Sequence, residues 1–155
     1  MADKQALIDQ LNVVLSWELA GTIQYLNASA MVTGLHRLEY FEFFKEGSEE
    51  ARGHAEAVSS RIVALGGIPT VEPAPVRVET TLDKMLEGLL ELEKSALAGW
   101  TKALDCADGL PLGYGFWIEE MIAEEQEHVD ELRKITGAVS FGASAGAGAG
   151  AGTGS

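Results

Sequence analysis

Apolar residues recur at steps of three and four through most of this chain, in four long runs separated by breaks rich in Gly and Pro. The first run, from about Asp3 to Thr33, places Leu11, Leu15, Thr22, Tyr25 and the small Ser29 on one face and stops near Gly34. The second extends from about Leu38 to Leu65 and ends at Gly66-Gly67, a helix-stop signal. The third follows Thr80 or Thr81 as N-cap and ends near Asp108-Gly109. It carries Leu82, Leu86, Leu89, Leu97, Trp100 and Leu104 on its inner face. The fourth begins after Pro111 and ends at Gly137, with Ile118, Met121, Leu132 and Ile135 in its stripe. No strand-like alternation competes, except in the short linker, so the pattern predicts an all-α protein of four helices.

The joints are unequal. Short connections make helices one and two, and helices three and four, antiparallel neighbours. Between helices two and three lies Gly66 to Thr80, with Pro69, Pro73 and Pro75 favouring extended chain. About fourteen residues at ~3.3 Å each reach ~45 Å, and a helix of about 28 residues is ~42 Å long. The linker can therefore just cross the length of the bundle, giving two helix pairs joined by one long crossover. After Gly137 the composition changes, and from Ala143 to Ser155 the chain is almost all Gly, Ala and Ser. The expected organisation is a bundle over residues 1–137 and a flexible Gly/Ala-rich tail over 138–155.

Composition narrows the partners. The formal net charge of −13 argues against nucleic acid and suits a protein that attracts cations. No apolar run is long enough for a membrane span. The N-terminal residues do not read as a secretory signal. The single cysteine, Cys106, excludes an internal disulfide and fits a reducing compartment, so a cytoplasmic location is expected.

The chemistry enters with Glu125-Gln126-Glu127-His128. Glu125 and His128 are three apart on one helix face, amid Ile118, Met121, Leu132 and Ile135. A carboxylate and an imidazole in an apolar stripe require a partner, and a transition metal is one. The centres of the other helices fall near Glu18, His54 and Glu93. Central positions meet whatever the direction of each helix, so Glu18, His54, Glu93, Glu125 and His128 are expected to converge at one midplane site. Two of the chain's three histidines lie at helix midpoints, whereas His36 reads as a loop or surface residue. Trp17, Trp100 and Trp117 read as packing residues. Tyr40, Phe41, Phe43 and Phe44 exceed what one core face of helix two needs, which suggests an interface.

Over about Leu7 to Ile135 the chain resembles the bacterioferritin and ferritin-like di-iron carboxylate family. The resemblance is carried by Trp17-Glu18-Leu19 and Ile23-Gln24-Tyr25, by His54-Ala55 and Leu65-Gly66-Gly67-Ile68-Pro69, by Leu92-Glu93, and by Glu125-Gln126-Glu127-His128. It implies a ferritin-like four-helix bundle. It also implies a site of two iron ions, manganese being an alternative, in which Glu18 and Glu125 bind one metal or bridge both. Glu93 would bind the second, and each histidine would cap one. Tyr25 would sit within a turn or two of the metals, hydrogen-bonding a ligand or donating an electron. A core tyrosine with a satisfied hydroxyl is the plainer reading of that residue.

There are two departures. The family carries Glu-x-x-His on helix two as well, but the residue three before His54 is Ala51. Either Glu50, four before and on the same helix side, replaces that carboxylate, with or without a π-turn, or the site is one ligand short. Glu50 is the favoured ligand. Haem-binding members use a methionine where this chain has Arg52, so no haem is expected there. The implied function is oxidation of ferrous iron by dioxygen or peroxide, for iron storage or detoxification, in a homodimer or larger homo-oligomer. The alternatives are a rubrerythrin-like or manganese-type peroxide-reducing enzyme and a metal-free helical interaction module.

Overall fold

A computed structural model describes residues 2–142, and the Gly/Ala-rich stretch expected to be a flexible tail lies mostly outside the described residues. Four α-helices are formed: α1 (Lys4–Met31), α2 (Arg37–Ala64), α3 (Leu82–Cys106) and α4 (Leu112–Ile135). Their ends fall where the sequence marks them. The Asp3 side chain accepts from the Ala6 amide at the start of α1, satisfying one of the helix's orphan donors. Thr81 is the N-cap of α3, although its side chain makes no capping bond. Gly66 closes α2 at φ +87°, a left-handed conformation that a residue with a Cβ resists.

Residues 65–81 form the long crossover, tied along α1 by successive hydrogen bonds. The Asn12 amide donates to the Ile68 carbonyl and its oxygen accepts from Thr70 N. Ala74 N donates to Ser16 O, and Arg77 N to the Gln24 side-chain oxygen. The crossover thus climbs parallel to α1 and starts α3 at the far end. α1 packs against α2 and α3, and α3 against α4. Among the described residues no Cα of α2 comes within 8 Å of a Cα of α4. That seam is closed by side chains, with the His54 and His128 rings 6.1 Å apart and inclined by 17°.

The core is divided in two. One apolar cluster includes Leu7, Leu11, Leu15, Val58, Ile62, Trp100 and Ile118. The other includes Phe44, Leu86, Leu89, Val129 and Leu132. Between them lie three buried glutamates, Glu18, Glu93 and Glu125. Apolar burial on both sides stabilises the helices that hold this polar layer in place.

The helix-two aromatics gather around one buried ring. Phe44 is fully buried. Tyr40 and Phe43 pack on it with ring centroids 5.8 Å away, and Phe41 lies under the Arg37 guanidinium. Phe44 is the buried centre of the group, and Tyr40, Phe41 and Phe43 are half-buried around it. They fill the bundle end beneath the α1–α2 turn, where one ring supports the next.

Candidate metal centre

Each of the four helices contributes to the midplane layer. Glu18, His54 and Glu125 place one ligand atom each within 4.8 Å of one another, and so do Glu93, Glu125 and His128. Glu125 belongs to both triads and is 1 % exposed. His54 Nδ1 stands 3.5 Å from Glu18 Oε1 and 3.3 Å from Glu125 Oε1. His128 Nδ1 stands 3.7 Å from Glu93 Oε1 and 3.8 Å from Glu125 Oε2. The inner nitrogen of each imidazole therefore faces carboxylates across the seam. At these separations the contacts are charge pairing rather than directed hydrogen bonds. His54 Nδ1 and Glu125 Oε2 are both buried and without a hydrogen-bond partner among the described residues.

Neighbouring side chains hold the carboxylates. The Trp100 indole N–H donates to Glu18 Oε1 at 3.1 Å. The Tyr25 hydroxyl donates to Glu93 Oε1 at 2.6 Å. Trp100 is more than the packing residue expected, because a buried indole N–H seeks an acceptor. The Tyr25 hydroxyl is thereby satisfied, and its acceptor is one of the three buried glutamates. The Tyr25 ring rests on α2 at Gly47, where an added Cβ would come within 2.6 Å of it.

The outer nitrogens also meet carboxylates. His54 Nε2 lies 2.9 Å from Glu124 Oε2, and His128 Nε2 lies 2.6 Å from Glu50 Oε2. Glu50 and Glu124 are both more than half exposed. The structure sets Glu50 on the outer side of His128, apart from both triads. Ala51 is buried, and its methyl would stand 3.3 Å from a Cβ added to Gly21. Arg52 points outward and pairs with Glu56 at 3.0 Å, and His36 pairs with Glu39 at the surface. Glu124 was not anticipated. Its signal was the repeat of a glutamate four residues before each histidine, Glu50/His54 and Glu124/His128.

The electrostatics follow from this crowding. Burial lowers the His54 pKa, but the carboxylates of Glu125 and Glu18 overcome it and lift it to about 11. Glu125 and Glu93 lift His128 to about 11 against its own burial. Burial raises Glu93 to about 7, opposed by His128 and assisted by Glu125. Tyr25 is raised well above the usual phenol range by burial and by Glu93. Without a metal, both imidazoles are cations that hold the carboxylates together.

A cavity of about 340 Å³ adjoins the second triad, lined by residues including Tyr25, Gly47, Glu50, Glu93, His128 and Glu131. It gives a small polar species a way to that half of the site. Oxygen and imidazole donors in this set suit iron, manganese or zinc rather than a soft thiophilic ion. Two buried unpartnered ligand atoms aimed into the layer are what such ions would satisfy.

A helical bundle with paired carboxylate–histidine triads at its midplane defines a class of four-helix proteins with groups that could hold a metal ion. Within that class, the chain belongs to the family of the ferritin-like domain, whose model matches residues 8–140. It is similar to a bacterial ferritin of Pseudomonas aeruginosa, 35 % identical over 98 residues that cover 63 % of this chain and 64 % of that protein. It thus spans less than two thirds of that relative's length. A bacterioferritin of Mycobacterium leprae is 29 % identical over 124 residues, covering 79 % of this chain and 78 % of the relative. Among solved structures, a ferritin-like di-iron carboxylate protein of Bacillus anthracis superposes with a TM-score of 0.84 at 30 % identity, covering 88 % of this chain and 99 % of that one. The Rhodobacter capsulatus bacterioferritin gives 0.78 at 27 % identity, covering 89 % and 88 %.

Proposed function

We propose that this protein binds two ferrous ions at the midplane and oxidises them, in the service of iron storage or detoxification. One observation carries the reading: two triads share the buried Glu125, with His54 Nδ1 and Glu125 Oε2 left unpartnered between them. Glu18 and His54 would hold one ion, Glu93 and His128 the other, and Glu125 would join them. Family membership and the likeness to a di-iron carboxylate structure support the same chemistry.

The balance is simple. Two Fe(II) each lose one electron, and one O₂ accepts both with two protons, leaving two Fe(III) and H₂O₂. With peroxide as oxidant, the two electrons and two protons cleave its O–O bond to give two waters. The carboxylates favour the ferric product because hard anionic oxygen ligands match its higher charge. The histidines exchange their Nδ1 protons for metal bonds. Tyr25 would hold Glu93 by its hydroxyl beside the cavity on the second side. No haem is proposed at Arg52. A cytoplasmic location and a homo-oligomer are part of this reading.

Anaerobic titration with Fe(II), followed by exposure to air in an oxygen electrode, tests it. The expected result is two ions bound per chain and about one O₂ consumed per two Fe(II). Absence of tight Fe(II) uptake would leave a metal-free helical module. Uptake with rapid turnover of peroxide but slow use of O₂ would favour a peroxide-reducing enzyme.

A further inference from the structure

The two aromatic side chains that hold site carboxylates follow one spacing. Tyr25 lies seven residues after Glu18 on α1, and Trp100 seven after Glu93 on α3. Each donates across to the other helix's glutamate, Tyr25 to Glu93 at 2.6 Å and Trp100 to Glu18 at 3.1 Å. What lies behind the two rings differs. Tyr25 backs onto Phe44, a fully buried ring that is hard to oxidise, with centroids 6.5 Å apart. Trp100 is fully buried and meets Trp117 of α4 edge to face, with centroids 5.3 Å apart. Trp117 is half-buried, and the Arg61 guanidinium lies over its ring at 4.9 Å. Glu18, Trp100 and Trp117 thus form an unbroken line from the midplane layer to the surface. Apolar packing would be met by any bulky ring here, whereas this line consists of two easily oxidised indoles in contact.

We propose that Trp100 is a one-electron donor to the Glu18–His54 half of the site, with Trp117 as its outlet to solvent. The proposal rests on the two-metal reading above. Peroxide takes up two electrons and two protons to give two waters. In a chain holding a single Fe(II), iron supplies one electron, and one-electron cleavage would release a hydroxyl radical. Trp100 supplies the second electron: Fe(II), Trp100, H₂O₂ and two protons give Fe(III), the Trp100 radical cation and two waters. The indole keeps its N–H proton, and the Glu18 carboxylate beside it offsets the new positive charge in a medium of low dielectric. Arg61 acts in the opposite sense on Trp117, since a cation over the ring opposes removal of an electron. The radical therefore rests on Trp100, out of solvent, and reaches Trp117 only to be reduced. A small reductant of the ascorbate class closes the cycle there, passing one electron to the ring and one proton to water.

The test has a metal-free and a metal-loaded arm, both on the full chain in a Trp17→Phe background that leaves two indoles. In the first, a photogenerated one-electron oxidant in solution oxidises the metal-free protein, and the indole radical is followed by transient absorption with ascorbate present. Trp117→Phe should remove most of the radical, because the buried ring loses its link to solvent. Arg61→Leu should shorten the radical's lifetime severalfold, because it then dwells on the half-buried ring. In the second arm, one Fe(II) per chain is mixed with one equivalent of H₂O₂. Freeze-quenched samples carrying deuterated tryptophan are read by EPR, and a spin trap reports hydroxyl radical. The parent should give an indole radical and little trapped hydroxyl, and Trp100→Phe the reverse. Circular dichroism checks that variant's fold. Should it not fold, uniform fluorotryptophan, close in shape but harder to oxidise, takes its place and should likewise lose the radical. A radical on Tyr25 instead of an indole would overturn the proposal. So would equal radical yields and lifetimes in parent, Trp117→Phe and Arg61→Leu, or hydroxyl trapping that ignores the loss of Trp100. A parent that binds no Fe(II) would overturn the peroxide step together with the function proposed above, whereas Fe(II) binding with no indole radical would overturn this proposal alone.

Discussion

Removing the Glu125 carboxylate takes a ligand from both triads at once, which no other single substitution does. Glu125→Ala is therefore expected to abolish ferrous oxidation, seen in stopped flow, while circular dichroism keeps the helices. The metal-free variant should melt below wild type, because Glu125 pairs with both imidazolium rings and its removal leaves them short of a counter-charge. Wild-type oxidation by the variant would refute the proposed chemistry. Ala51→Glu works in the opposite sense. It adds a fourth carboxylate to a buried layer that already holds Glu18, Glu93 and Glu125. The metal-free form should lose stability, its melting point falling by about 2–4 °C for each kcal/mol. Metal should then raise that melting point by more than it raises wild type, because the new charge gains a counter-ion. An equal metal-induced rise in both proteins would mean that position 51 does not face a metal. At this scale the sequence showed which residues lie at helix midpoints, since midpoint position follows from helix length alone. It did not show that Trp100 hydrogen-bonds Glu18, or that Glu124 reaches His54. Both depend on how far one helix is rotated against another, and periodicity leaves that angle open.

The helices themselves were legible because their stops are chemical: Gly34, Gly66, Gly109 and Gly137 all adopt positive φ. The crossover was legible from its length and prolines. The spacing of α2 from α4 was not, because it is set by the volume of two imidazoles and their carboxylates. Two glycines of α2 test how that helix seats. A Cβ on Gly53 meets nothing within 4 Å, whereas one on Gly47 runs into the Tyr25 ring. Gly53→Ala should stabilise the fold by about 0.5–1 kcal/mol through helix propensity. Gly47→Ala should cost about 1–3 kcal/mol by overpacking and displace Tyr25 from Glu93. Urea denaturation midpoints of the two variants should fall on opposite sides of wild type.

The α2–α4 seam also predicts a pH dependence. His54 and His128, raised to about 11 in the folded chain, contribute stability that is full below ~6.5, the unfolded value. It declines as pH rises toward their folded values. Glu93, raised to about 7, binds its proton more tightly in the folded state. Its contribution is therefore lost between ~4.5 and about 7. Both trends lower metal-free stability as pH rises, so the urea midpoint should be lower at pH 9 than at pH 6. Metal affinity should move the other way, because each ion displaces a histidine proton, by up to ~10-fold per pH unit and ion. A metal-free midpoint that rises over this range would show that the imidazolium–carboxylate pairs do not hold the seam.

For the whole molecule, the distribution of exposed apolar side chains is uneven. Ile23, Leu26, Leu35, Leu38, Val63, Ile68 and Val71 lie on α1, the α1–α2 turn, α2 or the crossover, whereas α3 and α4 expose only Leu112 and Phe116 among the described large apolar residues. Leu35 is 99 % exposed and Leu38 84 %. Isolated exposed leucines need no explanation, but a bias toward one pair of helices marks the side on which copies would associate. The proposed homo-oligomer should therefore form through the α1–α2–crossover side. Leu26, 60 % exposed near the C-terminal end of α1, is a suitable place to break it. Its outward position means that a charge there costs the isolated chain little. Leu26→Glu should shift the sedimentation profile from dimer or larger toward monomer. Phe116→Glu, on α4, should leave the profile unchanged. Circular dichroism and Co(II) uptake should stay at wild-type values in both, because neither residue lines the midplane layer. A wild-type chain that sediments as a monomer at micromolar concentration, or a Phe116→Glu variant that dissociates instead, would place the contact elsewhere or remove it.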